Sequence, residues 1–413
     1  MAELSGKTVW SGERRLLRAL FFAALLLVAT EAGIFRSGLY FRVVEPNSYC
    51  GQVLTVLRGA RDFDREAGKA GKILVLGDSR MAEGFSAKHC DEAGQPGLRW
   101  FNAAVSGATP RVWSYLLERM LRQGVRFDLV VVPLQSLAGR ATEYGIADRT
   151  LDGQFMPPLL SLPQAPEFAW SFETPKLRRE MLVQGFLSSF ALKRDVLHLM
   201  SNPSKRLGRV DRARDAYKSH YAYTGRPEDL TGKIRVSGEE ASFSEDMPRD
   251  ERQNYEAWRK IYNDEVRPDE LAYQRRWVGR IEEICREAGA ELLVLRSPRG
   301  PLGELYDSED EVDPHERLRL SPETIVLEAE AFSGLEKPEY FFDHLHMNAR
   351  GREEFSAALL RYVSGIRDLL PNVSRESRAP SLHPSPEAPD RAFRINEARS
   401  AGCDEALKGR GSG

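Results

Sequence analysis

The sequence predicts an α/β protein with a doubly wound, mostly parallel sheet flanked by helices. Three short apolar runs, at 73–76, 98–104 and 127–134, have the length and composition of buried strands. Segments with helical periodicity separate them, at 80–90 and 111–123. The order strand, helix, strand, helix, strand is typical of parallel sheets whose strands are joined by crossover helices.

Further elements extend this pattern on both sides. After a linker that begins at residue 36, the sequence predicts a charged helix around 52–67, and then a helical patch near 177–199, a helix over 273–288, a strand at 290–297, a short strand at 325–327 and an amphipathic helix over 352–370. Pro298 ends the fourth long strand, because proline cannot donate to a sheet ladder.

The composition of the sequence divides the chain into three predicted segments. Residues 1–40 are an N-terminal signal anchor, 41–371 form the α/β domain with a large insertion at 138–270, and 372–413 form a disordered tail. The insertion contains no clear apolar strand and several prolines. The tail is rich in Ser, Pro, Glu and Arg and poor in large apolar residues, so it cannot bury a core.

Charge and cysteine usage narrow the functional classes. The 413 residues carry a net charge of −2, which gives no reason to expect a nucleic-acid partner. The four cysteines lie far apart without a C-x-x-C motif, so the sequence indicates neither a metal site nor another cofactor. In an oxidising compartment, pairing of Cys50 with Cys90 is one possibility.

The N-terminus contains an apolar run from 19 to 29, preceded by Arg14, Arg15 and Arg18 and followed by Glu31. Basic residues before an apolar run favour an N-terminus that stays in the cytoplasm. Three interpretations remain: an uncleaved membrane anchor, which we favour, a cleaved signal peptide, or a buried helix of a cytosolic protein. The first two place the residues beyond about position 40 outside the cytoplasm.

A basic stretch lies within the insertion. Between residues 191 and 236 there are eleven Lys or Arg and five Asp or Glu. One interpretation is a solvated surface. The other is a lid or rim that receives an acidic or polymeric substrate or rests on anionic lipid.

Ser79 is the first candidate for chemistry. It follows Gly77 and Asp78 at the turn from the first strand to the next helix. Backbone N–H groups at the start of a helix have no partner within it and carry partial positive charge, so they stabilise an oxyanion. Read alone, the Gly-Asp-Ser sequence is equally compatible with a helix cap and with a nucleophile.

Asp343 and His346 are the second candidate. They are three residues apart, just before the last helix. A serine nucleophile needs a base, and that base needs a carboxylate that fixes its tautomer. The first and last strands of an open α/β sheet end at the edge where such folds place their sites, so we expect both groups to meet Ser79. His344 competes for the role of base, but its side chain is expected to point elsewhere.

In order and spacing, these segments resemble the SGNH (GDSL-like) hydrolase family, whose fold is flavodoxin-like. The sequence from Gly77 to Ser79 resembles its first block, Asn102 to Gly107 its second, and Asp343 to His346, with Asn348 and Gly351 after them, its last. The resemblance covers about 45–135 and 270–370. It implies that Ser79 is the nucleophile, His346 the base and Asp343 its orienting group, and that the N–H groups of Ser79 and Gly107 form the oxyanion hole.

One block departs from the family pattern. The third block of the family usually supplies an asparagine to the oxyanion hole. In this chain the third strand ends in Leu134, Gln135 and Ser136. Gln135 or Ser136 is then the candidate third donor, or the hole has two backbone donors only. Loss of one donor typically reduces the rate by about 10²–10³.

The predicted anchor, the Gly-Asp-Ser-Arg sequence and the insertion resemble cell-envelope members of this family. That resemblance implies a bacterial inner-membrane protein with an extracytoplasmic catalytic domain. It also implies a serine esterase or O-acyltransferase that acts on an acylated polysaccharide or lipid-linked substrate, with a multi-span membrane acyltransferase as a partner. The second hypothesis is a non-catalytic glycan-binding or scaffold protein with the same fold. The third hypothesis is a cytosolic esterase.

Overall fold

The computed structural model describes residues 6–94, 96–137, 146–213, 215–238, 240–263, 268–308 and 313–366. The predicted tail at 372–413, with Cys403, lies outside these residues. Two sheets are present in the described part of the chain, with strands β1 (Gly71–Val75), β2 (Leu98–Asn102), β3 (Leu129–Leu134), β4 (Ile234–Ser237), β5 (Glu240–Phe243), β6 (Glu291–Arg296) and β7 (Ile325–Val326).

The main sheet confirms the predicted fold class. Its five strands have the order β2-β1-β3-β6-β7, and all neighbouring strands are parallel. Strand β1 pairs with strands on both sides, so the chain reverses its winding direction there. This is the point where open α/β sheets form a crevice at the carboxyl ends of their strands. The second sheet is an antiparallel hairpin of β4 and β5 inside the insertion.

The helices surround the main sheet. In chain order they are α1 (Gly6–Thr30), α2 (Tyr49–Ala67), α3 (Ser79–Gly84), α4 (Ala87–Ala93), α5 (Pro110–Arg122), α6 (Ala165–Trp170), α7 (Pro175–Phe186), α8 (Ser188–Ala191), α9 (Lys193–Ser201), α10 (Pro203–Arg212), α11 (Ala216–Ala222), α12 (Arg249–Asn263), α13 (Pro268–Ala288), α14 (Pro314–Leu318) and α15 (Ala349–Gly365).

Each face of the sheet is covered by its own hydrophobic core. Because side chains alternate along a strand, Leu74 and Val130 face a core built with α2, α5 and α13. Ile73 and Val131 face the opposite core, which includes residues of α4, α12 and α15. A sheet covered on both faces requires strands that are apolar throughout, which is why the strands were recognisable as continuous apolar runs.

Several local predictions are corrected. The helix predicted over 80–90 is two helices, because Phe85 and Ser86 are extended and Ser86 caps α4. The last helix begins at Ala349, earlier than predicted. Cys50, Cys90 and Cys285 are free and buried, so the Cys50–Cys90 pair is not formed.

The insertion is more integrated with the domain than a solvated loop. Its first part contributes fully buried side chains to the core under α5, among them Phe155, Phe168 and Met181. Arg111 of α5 is fully buried and binds Asp152 of the insertion at 3.2 Å. The basic stretch that follows, in contrast, lies largely on the surface.

The N-terminal helix is long and apolar enough to cross a membrane. The candidate segment, Arg15–Arg36, has 22 residues and a mean hydropathy of 1.8. At 1.5 Å per residue it is about 33 Å long, which matches the hydrocarbon core of a bilayer. Its side chains from residue 15 to 29 are exposed, so this helix is not buried against the described part of the chain.

Glu31 and Arg36 fasten the end of this segment to the domain. The Glu31 carboxylate is only 6% exposed and accepts hydrogen bonds from the backbone N–H groups of Ser188 at 2.6 Å and Ser189 at 3.1 Å. Arg36 lies 3.5 Å from Glu31 and donates to the carbonyl oxygens of Leu160 and Gly185. The acidic residue that interrupts the apolar run is therefore a connection between the N-terminal helix and the insertion.

We expect Glu31→Gln to destabilise the protein. Glutamine offers one acceptor oxygen and one N–H₂ group to two backbone donors, so one buried N–H loses its partner, at a cost of about 1–3 kcal/mol. The free energy of unfolding of detergent-solubilised full-length protein measures this. Asp62→Asn, which removes an exposed partner of Arg65, is the matched control and should have little effect. Equal stability of both variants would mean that the Glu31 contacts contribute nothing.

Candidate active site

Ser79 is the first residue of α3 and follows β1 after a three-residue turn. Gly77 permits this turn, because a Cβ there would lie 2.4 Å from the Cβ of Met81. Asp78 caps α3 by accepting a hydrogen bond from the backbone N–H of Arg80 at 2.9 Å. The cap and the serine are therefore adjacent residues, and the Ser79 side chain itself is not used to cap the helix.

The carbonyl oxygens at the end of α3 are bound by side chains from other elements. Asn102 of β2 donates its amide to Met81 O at 3.2 Å and Phe85 O at 3.0 Å. Arg352 of α15 donates to Ala82 O and Glu83 O, both at 2.7 Å. A helix of six residues has little stability of its own. These four bonds hold it between β2 and α15.

The segment after β2 brings Gly107 toward Ser79. It runs beside the end of β1, with the Val105 N–H bonded to Gly77 O at 3.0 Å. Gly107 has φ +75°, which a residue with a side chain rarely adopts. Neither the Ser79 N–H nor the Gly107 N–H donates a hydrogen bond to a group among the described residues. Both are therefore free to bind a ligand oxygen.

His346 connects Ser79 to Asp343. Its Nε2 lies 2.9 Å from Ser79 Oγ, and its Nδ1 lies 2.9 Å and 3.1 Å from the two carboxylate oxygens of Asp343. Asp343 also accepts the backbone N–H groups of Leu345 at 2.8 Å and His346 at 2.7 Å. All three side chains are partly exposed, so a substrate can reach them.

The Asp343 carboxylate is held in its charged form. Burial alone would raise its pKa, but the hydrogen bonds from His346 and Leu345 and the nearby imidazole outweigh burial and lower the pKa. An ionised carboxylate on Nδ1 fixes the tautomer that leaves Nε2 as the acceptor facing Ser79 Oγ. The arrangement is thus suited to removal of the Ser79 proton.

The other candidates have different surroundings. His344 packs against the rings of Tyr255 and Trp258, with ring centroids 5.9 Å and 5.8 Å away, so His346 alone occupies the position beside Ser79. Gln135 directly follows β3, and its Oε1 is buried without a hydrogen-bond partner among the described residues. Its role as a third oxyanion donor stays a prediction.

A buried ion pair beside Ser79 was not anticipated from the sequence. Arg80 is buried and binds both carboxylate oxygens of Asp78, with its Nη2 at 2.9 Å and its Nε at 3.2 Å from Oδ2. Burial raises the pKa of Asp78, but the Arg80 charge outweighs burial and lowers the pKa. Arg80 thereby neutralises the carboxylate next to Ser79 and leaves Asp343 as the partner of His346.

Residues of the insertion also reach the site. The Phe342 ring stacks on His346 with centroids 5.7 Å apart, and the Arg226 guanidinium lies over Phe342 at 4.5 Å. The Arg226 carbonyl accepts the Ala349 N–H at 2.6 Å. Sequence reasoning missed this contact, because no local pattern connects residues more than one hundred positions apart.

A cavity of about 620 Å³ lies between the start of α2 and the insertion, and Ser79, Gly107 and His346 are not among its lining residues. Tyr49 lines it, and the same ring lies 3.6 Å from the position that a Cβ would occupy at Gly107. Thr150, Gln154 and Arg206 are among its other lining residues. Within the described ranges, no cluster of three His, Cys, Asp or Glu side chains has the arrangement of a metal site.

His220 of α11 is enclosed close to Arg352 and should make the fold sensitive to acid. Its Nε2 is buried without a partner among the described residues. Burial, assisted by the Arg352 charge, lowers the pKa of His220 to about 4 from the ordinary 6.5. Below about pH 6.5 the unfolded chain therefore binds a proton that the folded chain takes up only near pH 4, and stability falls over this range.

We expect His220→Gln to flatten this loss of stability between about pH 6.5 and 4. The free energy of unfolding, measured at several pH values, gives the slope. His89→Gln is the control, because His89 lies on the surface of α4 near Glu353. An unchanged slope in His220→Gln would show that His220 does not limit stability in acid.

Part of the chain is similar to a known protein family. A family model described as "Protein of unknown function (DUF1574)" matches residues 54–151, so the chain is similar to that family from α2 to the segment after β3. The match includes Ser79 and Gly107 but ends before Asp343 and His346. No curated protein matches the chain. The matched part thus contains β1, β2 and β3 of the main sheet.

Proposed function

We propose that the protein is a membrane-anchored serine esterase or O-acyltransferase of the SGNH (GDSL-like) type. The observation that carries this proposal is the 2.9 Å contact between Ser79 Oγ and His346 Nε2, with Asp343 on the opposite nitrogen. Nucleophile, base and orienting carboxylate in this geometry are the requirements for acyl transfer through a covalent intermediate.

The first half of the reaction makes an acyl-enzyme. Ser79 Oγ attacks the carbonyl carbon of an ester while His346 Nε2 takes the Ser79 proton. The N–H groups of Ser79 and Gly107 stabilise the oxyanion of the tetrahedral intermediate. When the C–O bond of the ester breaks, His346 returns the proton to the departing alcohol, and the acyl group stays on Ser79.

The second half transfers the acyl group. Water or a polymer hydroxyl attacks the acyl-enzyme, His346 accepts its proton, and Ser79 leaves with that proton as the new acid or ester is released. The cavity lined by Tyr49, Thr150 and Gln154 favours a hydroxyl-rich acceptor such as a polysaccharide, because these side chains and the charged groups around them offer donors and acceptors.

For the location we propose an anchor in a bacterial inner membrane with the catalytic domain outside the cytoplasm. The length and hydropathy of Arg15–Arg36 support the anchor, and the basic residues before it support this orientation. A multi-span membrane acyltransferase would be the source of acyl groups, and a lipid-linked or polymeric substrate would lie within reach.

Ser79→Ala should abolish covalent labelling by a fluorophosphonate probe. The probe forms a bond between phosphorus and Ser79 Oγ with loss of fluoride, which requires an activated serine. Ser106→Ala is the matched control, since Ser106 precedes Gly107 and should leave labelling intact. In-gel fluorescence of the full-length protein in detergent gives the result. Equal labelling of wild type and Ser79→Ala would refute the assignment of Ser79.

Asp343→Asn should slow labelling by up to about 10⁴-fold, because the neutral amide no longer holds the imidazole in the active tautomer. The rate of fluorophosphonate labelling is the measurement. Asp62→Asn is the comparison, because Asp62 is exposed and paired with Arg65 rather than with His346, and its effect on the rate should be much smaller. Equal effects at Asp62 and Asp343 would mean that Asp343 is not the orienting carboxylate.

A non-catalytic glycan-binding or scaffold protein is the second proposal. It is favoured by the absence of the usual asparagine after β3, where Gln135 stands instead. The two proposals differ in one result: wild-type protein that hydrolyses a simple acetyl ester, with loss of activity in Ser79→Ala, supports the enzyme, whereas binding of a polysaccharide without hydrolysis supports the scaffold.

A further inference from the structure

The apolar surface of α9 is wider than the part of it that packs on the domain. Leu192, Val196 and Leu199 contact the cluster around Phe35 and Tyr40, in the chain that follows the N-terminal helix. Leu197 and Met200, beside them on the same helix, have exposed fractions of 63% and 74%. The apolar stripe of a surface helix normally packs on the core, and these two side chains lie outside the packed part.

The exposed face continues onto the neighbouring helices. Phe186 at the end of α7, Phe190 of α8 and Leu207 of α10 are also exposed. We call the set Phe186, Phe190, Leu197, Met200 and Leu207 the α8–α10 face. Contiguous exposed apolar surface of this kind marks an interaction site on a soluble domain. No described residue covers it.

The exposed charges within the segment that carries this face, residues 186–210, are all basic. From 186 to 210 the one acidic residue is Asp195, which is turned inward and binds Tyr40 and Arg206. Lys193, Arg194 and Lys205 are exposed, and Lys193 lies over the Phe190 ring at 4.5 Å. Apolar side chains with lysine and arginine beside them are typical of helices that lie in the surface of an anionic bilayer.

The position of the face relative to the N-terminal helix identifies the partner. Glu31, near the end of the candidate span, binds the first backbone N–H groups of α8. Tyr40, four residues beyond the span, donates to Asp195 of α9 at 2.6 Å. Ile34 and Leu39, between these two contacts, are exposed and apolar as well. The helices that carry the α8–α10 face thus also hold the chain at the point where the N-terminal helix would leave the membrane.

We propose that the α8–α10 face rests in the anionic surface of the same bilayer that α1 crosses, so that the domain has a second membrane contact. The inference depends on the proposed membrane anchor and goes beyond it. A domain that is held by a single helix can rotate relative to the membrane surface. A second contact fixes the orientation of the domain and the height of Ser79 above the lipid.

The test uses an environment-sensitive fluorophore on the full-length protein. Ser201→Cys, with Cys403→Ser, places the label on exposed α9 without removing an apolar side chain, and Cys50, Cys90 and Cys285 are buried. Glu353→Cys in α15 is the matched control position. Both proteins are reconstituted in vesicles of phosphatidylcholine and phosphatidylglycerol at about three to one, with and without spin-labelled lipid as the quencher.

We expect lipid quenching at position 201 to be at least about threefold stronger than at position 353. Leu197→Ser with Met200→Ser should remove the difference, and because both side chains are exposed, the thermal unfolding of this variant should match that of wild type. Comparable quenching at 201 and 353, or no effect of the double substitution, would overturn the proposal.

Two further outcomes separate the possible failures. If the protein resists carbonate extraction but position 201 is not quenched, the anchor stands and the surface contact is wrong. If carbonate extracts the protein, both proposals fall. A label at 201 that is shielded in detergent and vesicles alike, without lipid quenching, would mean that protein covers the face, either another segment of this chain or a second copy.

Discussion

The site depends on how the short helix α3 is held. Six residues cannot maintain a helix alone, and the carbonyl oxygens at its end would be left without partners. Asn102 supplies two hydrogen bonds from β2, and Arg352 supplies two more from α15. Because α15 begins three residues after His346, the helix that fixes the serine is also the one that fixes the base. The 2.9 Å contact between them is therefore a property of the packing, not of either loop alone.

The sheet was predictable because burial on both faces leaves a clear signature. Strands such as β3 are apolar at every position, and no other element of that length has this pattern. The meeting of Ser79, Asp343 and His346 was also expected from the sequence, although Asp343 and His346 lie in the loop before α15 and not at the end of a strand. The role of Arg352 did not follow, because its partners are backbone carbonyls about 270 positions away.

The failures of sequence reasoning share this cause. The helix predicted over 80–90 is interrupted at Ser86, because the Ser86 N–H binds Ser356 Oγ of α15 at 2.8 Å. The sequence predicted no clear strand in the insertion and did not indicate that it packs on the sheet, yet Phe155 and Phe168 are completely buried in the core with α5 and α13. Glu31 seemed only to interrupt an apolar run, although its two backbone donors belong to residues 157 and 158 positions away. Local patterns carry no information about such partners.

The same contacts relate the site to its surroundings. The insertion packs on α5 through Arg111 and Asp152, touches the His346 loop through Arg226, and holds Glu31 at the end of the candidate span. It also supplies most of the lining of the cavity that includes Tyr49. Ser79, His346 and Asp343 are themselves partly exposed, and water competes with any other acceptor at an open site. Transfer to a polymer would require that the polymer exclude water from Ser79, and the insertion already contacts the His346 loop through Arg226.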